Sequence, residues 1–104
     1  MLINLSNHPS KLWSEKQTHL AIDLFGQVKD LTFPVIDPHW DEEKIQDLAT
    51  QFFNEIMNEK AQNENQFAVH IMGEFNFVFA LTSLLLKNKI QCVASTTQRK
   101  VTYD

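Results

Sequence analysis

The chain has 104 residues, 43% of them hydrophobic, a formal net charge of −4 and a single cysteine. That length suits one domain with its own core. One cysteine excludes an internal disulfide framework and the Cys-based zinc patterns, and the acidic balance excludes a protein that coats nucleic acid by neutralising many phosphates. No apolar run reaches the ~20 residues of a membrane span, and the start lacks the basic and then apolar segments of a signal peptide. One domain over residues 1–104, in the reducing cytoplasm, off the membrane and off DNA, is the expectation.

Residues 2–6, LINLS, read as a first strand. Ser14-Glu15-Lys16-Gln17 then fits a capping box, with the serine as N-cap and a glutamine three residues on. Leu20, Ala21, Leu24 and Phe25 follow at helical spacing, and Gly26 suits the C-cap. Val28 to Phe33 resumes as a second strand. The loop FPVIDPHW carries two prolines and leads to Asp41, a good N-cap. Behind it Ile45, Leu48, Ala49, Phe52, Phe53, Ile56 and Met57 trace one face of a second helix, which ends in the polar stretch EKAQNENQ.

Phe67 to Met72 is a nearly continuous apolar run, as expected of a strand covered on both faces. Gly73 interrupts it, and Glu74 to Lys87 reads as a third helix. Ile90 to Ser95 is a fourth strand, and Arg99 to Tyr103 reads as a short fifth, folding back as an edge hairpin. Strands alternating with helices at these spacings point to βαβ units, right-handed crossovers and a mainly parallel sheet of four to five strands. The expected architecture is an α/β, Rossmann-like three-layer sandwich with the first and third strands central and adjacent.

The third helix carries two apolar stripes, Phe75, Val78, Phe79 and Leu86 on one side and Phe77, Leu81, Leu84 and Leu85 on the other. A helix apolar nearly all round is buried on more than one side. In so short a chain that points to a homodimer through the third helix; cover by the C-terminal segment is the alternative.

In an open parallel sheet, ligands bind beyond the carboxyl ends of the strands. The loops expected there hold Asn7, His8 and Ser10 after the first strand, Gly73 and Glu74 after the third, and Ser95, Thr96 and Thr97 after the fourth. The turns at the opposite edge, GQ, QNENQ and KNK, are plain solvated sequences. His8 precedes Pro9, which restricts its backbone to extended conformations, and an imidazole can give or take a proton near neutral pH. Against that, Asn7 and His8 also suit a strand end that caps the next turn.

His70, within an apolar strand, reads as a core histidine bonded to a neighbour, His19 as surface decoration and His39 as a loop residue. No two histidines have the helical spacing of a zinc site, so no metal and no cofactor are expected. Gly73-Glu74 opens a helix whose exposed N–H groups suit an anion, although Glu74 equally suits the helix dipole by itself. Lone Gly73 is not a dinucleotide fingerprint, and there is no P-loop. Lys11 and Arg99 are the nearest cations. Trp13 could stack on a base, but ahead of a capping box it reads first as a hydrophobic staple. Cys92, in a buried strand, reads as inert.

Taken together, LINLSNHPSKLWSEKQ, FPVIDPHWD, AVHIMGEF and IQCVASTT resemble a family of small CRISPR-associated proteins, the compact ring nucleases of type III systems. That resemblance implies a Rossmann-like fold related to the CARF domain and a cyclic oligoadenylate ligand, with cyclic tetra-adenylate as the expected ring. It also implies metal-independent ring opening, in which a ribose 2′-hydroxyl attacks the adjacent phosphorus and leaves a 2′,3′-cyclic phosphate. Carried onto this sequence, His8 becomes the general acid or base. Asn7 and Ser10 would orient phosphate or ribose, with Gly73 and Thr96 adding hydrogen bonds. A non-catalytic cyclic-nucleotide sensor and a dimeric interaction module are the alternatives.

Overall fold

The computed structural model describes residues 1–63 and 66–94. Among the described residues four strands, β1 (Leu2–Ser6), β2 (Val28–Thr32), β3 (Ala68–Met72) and β4 (Gln91–Val93), form one sheet in the order β2-β1-β3-β4. All three pairings are parallel. The first and third strands are central and adjacent, as the sequence pattern implies. The expected fifth strand over residues 99–103 lies outside the described residues.

Each crossover holds a helix: α1 (Glu15–Phe25), α2 (Glu42–Ala61) and α3 (Phe75–Lys87). Their ends follow from local chemistry. Ser14 accepts from the Gln17 N–H, Asp41 from the Lys44 N–H and Glu74 from the Phe77 N–H, which satisfies one orphan donor at each start. Gly26 closes α1 at φ +88°, a conformation that disfavours side chains. α2 ends at Ala61, within the polar stretch EKAQNENQ as expected. Three strands are shorter than the sequence reading gives them: β2 stops at Thr32, β3 begins at Ala68 and β4 covers only Gln91–Val93. The third helix starts one residue later than expected, because Glu74 caps it rather than joining it. Between β1 and α1 lies a further short turn of 3-10 helix, Ser10–Leu12.

Strand alternation sorts the side chains into two layers. Ile3, Leu5, Val69 and Ile71 face α2 and α3 and join Ile45, Ala49, Ile56, Phe77, Leu81 and Leu85 in the main core. Phe77 is its centre, fully buried, with Phe33 and Phe52 set edge-on to its ring at 5.4 and 5.3 Å. The other face carries a smaller cluster, Leu2 and Ala68 under Ala21 of α1, with Trp13, Phe25, Val28 and Val93 around it. The result is a three-layer α/β/α sandwich in which one helix covers one face and two cover the other. No described helix is long and apolar enough to cross a membrane.

Candidate functional site

The sheet register aligns one polar residue from each of three strands. Asn4 pairs with Asp30 on one side and with His70 on the other, so Asp30–Asn4–His70 forms a row across the sheet on the α1 face. Asn4 is only 1% exposed and His70 6%. Buried polar groups on that scale need partners, and Asn4 has four. Its Nδ2 donates to the His8 carbonyl and to Asp30 Oδ1, each at 2.9 Å. Its Oδ1 receives the Ser6 hydroxyl at 2.9 Å and lies 2.9 Å from His70 Nδ1.

These partners fix the protons. The His8 carbonyl and the Asp30 carboxylate can only accept, so the amide nitrogen must face them and the amide oxygen must face His70. The His70 hydrogen therefore sits on Nδ1, and Nε2 keeps the lone pair. Nε2 is buried without a hydrogen-bond partner among the described residues. Burial first, and the nearby His8 second, hold the His70 pKa below the usual imidazole value, so the ring stays neutral. Trp13 sets the edge of its ring against His70, with centroids 5.5 Å apart.

The same network holds the loop after β1. The His8 N–H donates to Ser6 Oγ at 3.2 Å, and the His8 carbonyl takes the Asn4 amide. Ser10 donates its N–H to Asp30 Oδ1 at 3.2 Å and its hydroxyl to Asp30 Oδ2 at 2.9 Å. The main chain from 8 to 10 is thus tied to β1 and β2, while the His8 side chain stands exposed.

The expected site residues divide. Ser6 pairs with Thr32 and with Met72, so the loops holding Asn7, Phe33 and Gly73 leave adjacent strands at one edge of the sheet. Beside the first loop is a cleft of about 350 Å³ whose lining includes Asn7, Pro9, Asp30, Thr32 and Phe33. It does not reach the glycine. The Phe33 ring covers Gly73 so closely that a Cβ there would lie 2.2 Å from Phe33 Cζ. The glycine exists for that close approach, which carries Phe33 onto Phe77.

Ser10, Lys11 and Trp13 line a separate depression of about 450 Å³ toward Gln27 and Val28. Glu74 places its own carboxylate on the start of α3, 2.8 Å from the Phe77 nitrogen, and its second oxygen receives Asn76 Nδ2 at 3.2 Å. The anion position there is taken by the chain itself. Ser95, Thr96, Thr97 and Arg99 lie outside the described residues.

Sequence reading singled out His8 and missed the row beneath it. Asn4, Asp30 and His70 each stand third in their five-residue strands, Asn4 and His70 between apolar neighbours and Asp30 between Lys29 and Leu31, and that recurrence was the available signal. His70 is bonded to a neighbour as expected, but through one nitrogen only. Among the described residues no three His, Cys, Asp or Glu side chains gather as metal ligands.

The chain belongs to the uncharacterized protein MJ1673 family, whose model matches residues 1–104. No curated protein and no solved structure matches it.

Proposed function

We propose that this protein is a metal-independent ring nuclease that binds cyclic oligoadenylate, cyclic tetra-adenylate first, and opens it to end type III CRISPR signalling in the cytoplasm. The observation that carries the reading is His8, an exposed imidazole on a loop whose main chain is tied down on both sides, at the carboxyl edge of a parallel sheet. Open α/β sheets bind their ligands at that edge. A side chain on a clamped loop loses less freedom when it engages a substrate.

The chemistry needs little else. A ribose 2′-oxygen forms a bond to the adjacent phosphorus as the bond to the 5′-oxygen breaks. The 2′-hydroxyl gives up its proton and the departing 5′-oxygen gains one. His8 serves one of these transfers. The Asn7 amide, beside the cleft, hydrogen-bonds the phosphate, while Lys11 and Trp13 in the next depression offer a cation and a ring face for phosphate and adenine. Ser10 acts on the loop rather than on the ligand, since its hydroxyl is committed to Asp30.

The test is incubation with cyclic tetra-adenylate and cyclic hexa-adenylate in chelator, read by chromatography. Linear products ending in a 2′,3′-cyclic phosphate are expected, and His8→Ala should slow their formation by about 100-fold or more with an unchanged circular dichroism spectrum. Recovery of intact ring from a stable complex would make the protein a sensor instead. Absence of any thermal shift with either ring would remove both readings.

A further inference from the structure

α3 keeps a second apolar stripe that the described residues leave uncovered. Phe77, Leu81 and Leu85 are fully buried in the core, yet Phe75, Phe79 and Leu86 are 73%, 64% and 58% exposed. The two phenylalanine rings stack on each other at 6.0 Å, so they already form one patch. With the partly exposed Thr82 they read Phe75, Phe79, Thr82, Leu86, a 4-3-4 spacing that keeps one seam in line along a helix.

We infer that this seam is a homodimer interface in which two copies of α3 pack antiparallel about a two-fold axis. The spacing is symmetric about a point between Ala80 and Leu81. Reversal about that point sets Phe75 against the second copy's Leu86 and Phe79 against its Thr82, so every seam residue meets another seam residue. An isologous contact requires that self-complementarity.

Charge selects the same direction. α2 and α3 both start at the carboxyl edge of the sheet, because each returns from a parallel strand to the next. That end of the patch is acidic, with Asp41, Glu42 and Glu43 opening α2 and Glu74 capping α3. The other end of α3 carries Lys87 in its last turn. Antiparallel packing brings Lys87 to the second copy's Glu74 and Glu42, whereas parallel packing would set acid on acid and lysine on lysine. The exposed parts of Phe75, Phe79 and Leu86 supply roughly 400 Å² of apolar surface per copy. That is about half of the ~800 Å² a standard interface buries on each partner. The adjoining groove of about 500 Å³, which runs past Trp40, Ile45, Ala80 and Leu84 to Lys87, adds contact surface beside the seam.

Sedimentation equilibrium of the full chain tests this. The wild type should show the mass of two chains, and Phe79→Glu the mass of one, with an unchanged circular dichroism spectrum. Leu86→Lys, at the far end of the seam, should do the same and guards against a fold defect in the first variant. Lys87→Glu should weaken the dimer about tenfold, and adding Glu42→Lys should restore most of that loss. A single-chain mass for the wild type overturns the proposal, whether residues 95–104 or another protein then cover the seam. So does a dimer that survives both seam substitutions.

Discussion

The two faces of the sheet are built from the same strands and do different work. Toward α2 and α3, β1 and β3 present Ile3, Leu5, Val69 and Ile71, all at most 5% exposed and all apolar. Toward α1 the same strands present Asn4, Ser6 and His70, buried and polar, beside the smaller apolar pair Leu2 and Ala68. Burial of apolar surface is non-directional and tolerates many arrangements, so the first face supplies stability. Buried hydrogen bonds hold only in one geometry, so the second face supplies position, and what it positions is the loop of His8.

That difference can be broken from either side. On the apolar face, Phe77→Ala removes the ring at the centre of the core and should cost about 3–5 kcal/mol, a large share of the ~5–15 kcal/mol that holds a small domain together. The urea midpoint measures it, and a loss near 1 kcal/mol would mean that Phe33 and Phe52 refill the space. On the polar face, Asn4→Ala leaves Asp30, Ser6 and His70 short of partners and should cost about 1–3 kcal/mol. Its distinguishing effect is local. Amide exchange at His8 and Ser10 should rise well beyond the change in global stability, which Phe77→Ala should not produce.

The smallest expected effect is acid sensitivity. The folded protein holds the His70 pKa below the ordinary value of 6.5, mainly through burial. As pH falls through 6.5 the unfolded chain takes up a proton that the folded chain refuses, so the unfolded state gains. The stability contribution is complete above that pH and is lost as pH drops toward the folded value. His70→Asn keeps a donor for Asn4 Oδ1 but has no proton to gain. It should flatten the decline in unfolding free energy measured between pH 7 and 5, and an unchanged slope would mean that His70 does not carry that decline.

Much of this fold was legible in the residues. Ser14 and Asp41 announce their helices because a side-chain oxygen three residues ahead of an amide is a local arrangement, and Gly26 ends α1 for an equally local reason. The parallel order followed from the lengths of the connections. Less of the candidate site was legible. His8 stood out through its proline and its place at a strand end. Gly73 suggested an anion loop, while its actual neighbour, the Phe33 ring, arrives from forty positions earlier in the chain.

The sequence alone determined where the main strands and helices form, how α1 and α2 are capped and which residues are apolar enough to share a core, since each depends on neighbours within a turn or two. Only the tertiary structure decided that Asn4, Asp30 and His70 meet. A strand's register sets which residue lies opposite which, and a shift of one position would turn Asn4 onto the other face. Register is fixed by the whole core closing at once, and it is what converts three separate polar residues into one hydrogen-bonded row beneath His8.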